Sequence, residues 1–224
     1  MVRGKLTFII MLRQFIKRNA PVFVIGGMTV VFFLVIIVLD QTKPHTEPQL
    51  NELESEGLIA SHTYTLGPEK ASVVLVEFAN FECSSCALYH PVLKNLAERY
   101  PNKLRVAFRH FPFESQLGAK RGAEADQAAG AQDKFWEYAG ILYENPYDLY
   151  EDDLISYAQE LGLDVEKFES DLKSGKYADA VEEDIAGAEK LGLDSTPTFF
   201  LNGKKLDLVY IGDLKEKVEE MINR

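Results

Sequence analysis

Cysteine is scarce in this chain: 224 residues contain two, Cys83 and Cys86. That supply excludes a multi-disulfide framework, and it leaves zinc two thiolates short of a closed four-ligand site. Positive charge is also short beyond the first forty residues. Residues 1–40 hold five Lys/Arg and one Asp, so the remainder carries 19 basic and 34 acidic residues, a net −15. Such a surface repels phosphate backbones, so nucleic acid is not an expected partner. A well-solvated exported domain is expected instead. No internal repeat is visible.

Charge of either sign is missing from Asn19 to Leu39, and the 19 residues from Pro21 to Leu39 are almost wholly apolar. That is close to the ~20 residues that span a bilayer. Nothing polar interrupts the run to mark the outer face of a buried core helix. A cleaved signal peptide has an apolar core of only ~7–15 residues and a small-x-small site, which "VLDQTKPHT" does not offer. A single N-terminal transmembrane helix within residues 1–40 is therefore expected, with a cleaved and secreted form as its rival. Arg3, Lys5, Arg13, Lys17 and Arg18 precede the span. The positive-inside bias places the N-terminus in the cytoplasm and the rest outside it. Residues 41–62 are polar, with Pro44 and Pro48. They read as a linker with one short helix around Leu50–Leu58. Compact structure is expected over 63–224.

In that domain "SVVLVEF" (72–78) has the continuous apolar pattern of a strand buried on both faces. The turn "ANFE" leads to the cysteines, which open a helical pattern ending at Tyr100, before Pro101. "KLRVAFRHF" (103–111) is the next strand, and the three make a βαβ unit. Residues 115–191 read as five successive helices, several ending at Gly. "TPTFFLNGKKLDLVY" reads as two strands about Asn202-Gly203, and a last amphipathic helix follows with Asp213 as its N-cap. The predicted class is α/β, in the order βαβ, helical insertion, ββα.

The cysteine pair admits three readings. A disulfide closing so short a loop stabilises by only roughly 2 kcal/mol, less than a long-range staple. A metal site would need His90 as a third ligand on the same helical turn, and His90 is expected to face solvent. The third reading is redox chemistry. A cysteine at a helix N-terminus meets free N–H groups and the positive end of the dipole, which favour its thiolate. Cys83 at the helix mouth is then the attacking nucleophile, and Cys86 one turn inside resolves the mixed disulfide. Ser84 and Ser85 between them can offer hydroxyls and N–H groups to the Cys83 sulfur.

Three other residues bear on that reading. Pro197 precedes a strand, where a residue without an N–H is awkward. A cis Thr196–Pro197 bond would turn the Thr196 backbone toward a client peptide beside Cys83; the residues alone leave cis and trans open. Glu77 lies in the apolar strand, where burial would raise its pKa and keep it neutral to exchange protons with Cys86. The alternative is a position at the strand's end, partly in water. Glu82, adjacent to Cys83, reads as a solvated charge, and Pro91 should kink the first helix.

Taken in order, "FECSSC", "RHFPF", "DKFWEYAGILYEN" and "STPTFFLNGKKL" resemble the DsbA-like thiol–disulfide oxidoreductases of the thioredoxin superfamily, in particular bacterial membrane-anchored or secreted members. The resemblance covers roughly 160 residues, nearly all of the exported part. It implies a thioredoxin fold with a helical insertion, a cis Pro197 facing the cysteines, Glu77 as the family's buried acid, and Pro91 as its helix-kinking proline. It implies thiol–disulfide exchange on newly exported, cysteine-containing proteins, most simply as an oxidase, with reductase or isomerase action as the alternative. Reoxidation by a quinone-linked membrane partner is implied, and no metal or organic cofactor. Thr196, Pro197, Ser84 and Ser85 would contact the client. Ser84-Ser85 departs from the Pro-containing dipeptide common in the family, and that departure bears on redox potential. A non-catalytic binding module is the rival of another class. With no evident dimerisation segment, a monomer is expected.

Overall fold

In the computed structural model, which describes residues 58–224, the Val-rich run forms the central strand β2 (Val73–Ala79). A short strand β1 (Thr65–Leu66) precedes it. Helix α1 (Ser84–Arg99) follows, with Cys83 as N-cap and Pro91 inside, and then β3 (Leu104–His110). β2 and β3 pair in parallel from Val73↔Leu104 to Ala79↔His110, which closes the βαβ unit.

Five helices come next: α2 (Leu117–Gly130), α3 (Phe135–Glu144), α4 (Glu151–Glu160), α5 (Val165–Lys173) and α6 (Ala178–Lys190). Gly162, Gly175 and Gly192 sit just past three of them at φ of 71°, 64° and 68°, where a left-handed residue ends a helix. β4 (Thr198–Leu201) and β5 (Lys204–Lys205) form the hairpin, and α7 (Ile211–Ile222) closes the fold. The sheet order is β1-β3-β2-β4-β5, with β4 antiparallel to β2.

Side chains alternate across the sheet, so each central strand feeds two cores. Leu75, Val106, Phe108 and Phe199 face α1, α7 and the helical insertion. Val76, Phe78, Ala107 and Phe200 face α6 and Leu58. The mixed α/β thioredoxin-like fold is therefore as expected. Among the described residues no helix is long and apolar enough to cross a membrane. The expected N-terminal span, and most of the expected linker with its short helix, lie outside the described residues.

Several expectations need correction. Folded structure begins before Thr63. Leu58 is buried, Arg109 Nη1 donates to its carbonyl at 2.8 Å, and His62 Nε2 lies 2.8 Å from Asp184 Oδ1. β5 is only two residues long, and 206–210 is not strand. Asp213 is not the N-cap of α7. Tyr210 holds that place, and Asp213 reaches back from the third helical position to accept its N–H at 2.9 Å. That is the reciprocal half of a capping box.

Candidate active site

Asn80 organises the turn between β2 and α1. Its Oδ1 accepts the Glu82 N–H at 2.8 Å and its carbonyl accepts the Cys83 N–H at 3.1 Å. The Asn80 side-chain amide is tied in turn to Gln116 Oε1. α2 packs against this turn through two glycines. A Cβ at Gly122 would lie 3.4 Å from the Phe81 ring, and one at Gly118 3.1 Å from Glu82 Oε1. Glu82 is not a free solvated charge: its Oε1 accepts the Ala119 N–H at 2.9 Å in the first turn of α2. A carboxylate there meets an orphan donor and the positive end of the helix.

Cys83 and Cys86 are both free thiols, the first half-buried and the second fully buried. The Cys83 sulfur accepts the Cys86 N–H at 3.4 Å, as the side-chain cap of α1. The hydrogen bond from the Cys86 side chain is the largest influence on Cys83. With the N–H groups of Cys86 and Ser85 it outweighs burial and brings the pKa down to about 5. Cys86 moves the other way: burial first, then its bond to Cys83, pushes its thiol far above the ordinary range. One sulfur is thus a thiolate at neutral pH and its neighbour a proton-bearing thiol. Ser84 and Ser85 stand exposed at the helix mouth.

On the far side of the sulfur, the Cys83 Sγ lies 3.3 Å from the Thr196 carbonyl, to which it can donate only in its protonated state. The Thr196–Pro197 bond is cis, as the resemblance implied. A surface groove of about 450 Å³ runs from Ser85 past Pro197 to Lys205 and Val209. The fold therefore brings Cys83, Ser85, Thr196 and Pro197 to one surface, with Cys86 buried one helical turn behind Cys83.

Glu77 is fully buried at mid-strand, paired in register with Phe108 and Phe199, which removes the half-solvated alternative. Neither carboxyl oxygen has a hydrogen-bond partner among the described residues. Burial, and then the charge on Cys83, raise its pKa well above the usual carboxylate range. His90 is also buried, at 6% exposure, rather than facing solvent. It lies one turn beyond Cys86 on the inner face of α1, its ring 5.3 Å from Tyr143 and 6.0 Å from Trp136. Burial, aided by Lys94, brings its pKa down to about 4, so it is neutral. The sequence reading missed Tyr143. Its ring lies 5.0 Å from Phe81, and its buried hydroxyl has no partner among the described residues.

A sequence model of the thioredoxin family matches residues 60–220. The chain belongs to that family. Among solved structures, BdbD from Bacillus subtilis in its oxidised form superposes with a TM-score of 0.65 at 22% identity, over 73% of this chain and 94% of that one. The thiol-disulfide exchange protein α-DsbA2 from Wolbachia pipientis gives 0.64 at 19% identity, over 75% and 92%. The chain thus shares its fold with these two proteins. A curated relative, a Na(+)/H(+) antiporter NhaA of Herminiimonas arsenicoxydans, is 39% identical over 140 residues, which are 62% of this chain. The match spans only 22% of that relative's length.

Proposed function

We propose that the protein is a thiol–disulfide oxidoreductase that oxidises exported, cysteine-containing proteins through Cys83 and Cys86. The observation that carries this is the placement of the Cys83 sulfur, activated at the N-terminus of α1 and 3.3 Å from the Thr196 carbonyl at the surface. An extended client segment pairing with the Thr196 backbone would bring its own sulfur to Cys83.

In the forward direction the protein starts as the Cys83–Cys86 disulfide. A client thiolate attacks the Cys83 sulfur, a mixed disulfide forms, and Cys86 leaves as a thiolate that takes up a proton. Glu77, buried and electrostatically coupled to Cys86, is the proposed donor. A second client thiolate then attacks the client sulfur of the mixed disulfide and releases the Cys83 thiolate. The client loses two electrons and gains a disulfide; the protein gains two electrons. No bound cofactor is required, since the cysteine pair carries them. A membrane partner of quinone-reductase type would remove them, and an N-terminal anchor would hold the domain outside the cytoplasm beside it.

The low pKa of Cys83 favours this direction over reduction. A stabilised thiolate stabilises the reduced protein, and that makes its disulfide the stronger oxidant. A Cys86→Ala variant tests the exchange: Cys83 should accumulate mixed disulfides with exported proteins. If it captures none, a non-catalytic binding role replaces this one. The reduction potential in glutathione buffers tests direction, and a value near thioredoxin's, about −270 mV, would reverse it.

A further inference from the structure

A second groove, of about 580 Å³, lies where the loop after β3 and the start of α2 meet α6, with Leu193 and Asp194 at one edge. The mechanism above does not use it. Its floor is apolar: Phe113 packs edge-on against Phe111 at 5.3 Å, with Leu117, Ile185 and Leu193 beside them. Leu117, the first residue of α2, is 76% exposed and Phe113 in the preceding loop 36%, a large apolar display over five residues. Its rim is acidic. Glu182 is paired with Lys120, which leaves Glu114, Glu189 and Asp194 without an ion-pair partner among the described residues.

We propose that this groove holds the client chain beside its reacting cysteine, and that it selects an apolar side chain flanked by Lys or Arg. The proposal rests on the oxidoreductase reading above. The reach fits. Asp194 is two residues before Thr196, and an extended chain covers at most about 3.3–3.6 Å per residue. A client sulfur on Cys83 therefore brings the residue two or three positions away to the Asp194 edge of the groove. Charge supplies the choice of occupant: an apolar floor inside an unneutralised acidic collar attracts a cationic apolar segment and repels an acidic one.

The test compares two dithiol peptides, alike except that one carries Leu-Arg and the other Glu-Glu at the second and third positions beyond a cysteine. Their oxidation by the disulfide form of the full chain is followed at low ionic strength, with dithiothreitol as a small dithiol that needs no groove. The Leu-Arg peptide should react about tenfold faster. That ratio should fall toward one in Leu117→Ser and in Glu189→Lys, both exposed, with the dithiothreitol rate unchanged. Equal peptide rates, or a ratio untouched by both variants, with dithiothreitol oxidised normally, overturn the groove assignment alone. Failure to oxidise dithiothreitol overturns the oxidoreductase reading and the groove with it.

Discussion

If the Cys86 side chain and the N-terminus of α1 set the Cys83 thiolate, the reactivity of Cys83 has a defined pH dependence. Its pKa falls from 9.0 to about 5. At pH 5 half the protein is thiolate, against about one part in 10⁴ for an ordinary thiol, an advantage of ~5,000-fold. Lower basicity reduces intrinsic nucleophilicity, however. With a Brønsted slope of about 0.45, four units of pKa remove a factor of ~60. The net expectation is alkylation ~80-fold faster than an ordinary thiol at pH 5, shrinking to about twofold at pH 7. Low pH is therefore where the effect shows. Cys86, buried and with its thiol pushed up, stays silent throughout.

The perturbation is Cys86→Ala, which removes the largest cause and keeps the backbone donors. A hydrogen bond to a charged group contributes about 1.5–3 kcal/mol, or roughly one to two pH units here. Iodoacetamide rates on the reduced protein between pH 3 and 10 give both midpoints. The wild-type midpoint should lie near 5, and the variant's about one to two units higher. A wild-type midpoint near that of a free thiol, or no movement in the variant, would refute the account.

Other outcomes follow from the buried groups. Glu77 has a raised pKa, so its stabilising contribution is complete below its ordinary value of 4.5 and is lost as pH rises through the folded value. Glu77→Gln should therefore gain melting temperature relative to wild type as pH rises above 4.5, and should slow exchange. His90 is shifted the other way, from 6.5 to about 4. Its contribution is complete above 6.5 and is lost as pH falls through 4, about 3 kcal/mol in all, and urea titrations of His90→Gln should lack that slope. Asp184, buried, accepts the His110 N–H at 2.9 Å and is ion-paired with buried Arg109. Asp184→Asn leaves Arg109 without its counter-charge and should cost about 3–5 kcal/mol in urea unfolding.

Local signals explain which parts were legible. A continuous Val-rich run marks β2, apolar residues interspersed with basic ones mark β3, and glycines that adopt positive φ mark the ends of α4, α5 and α6. Cys83 as N-cap follows from its place at the start of a helical pattern. What escaped depends on partners distant in sequence. Glu82 meets Ala119, 37 residues on, and Arg109 meets Asp184, 75 residues on. No local pattern announces either. His90 is different, because a residue four beyond a buried cysteine shares its helix face. That spacing was available in the sequence, and the general exposure of histidine obscured it.

An electrostatic question remains: how a domain of net charge −15 beyond residue 40 lowers a thiol pKa. Long-range charge works against it, and Glu77 and Glu82 flank the site. The fold disarms them separately. Glu82 is engaged by the Ala119 N–H at the mouth of α2, and Glu77 is kept protonated by burial. With Glu77 protonated and the Glu82 carboxylate held at the positive end of α2, short-range donors at the helix N-terminus decide the Cys83 pKa. The coupling then runs in both directions, since the Cys83 charge is one of the two causes that raise Glu77. Closing the Cys83–Cys86 disulfide removes that charge and leaves burial alone to hold the Glu77 proton. Glu77 should therefore titrate at lower pH in the oxidised protein than in the reduced one, with carboxyl carbon NMR as the readout. Equal midpoints in the two redox states would uncouple Glu77 from the sulfur pair and remove it as the proton donor to Cys86.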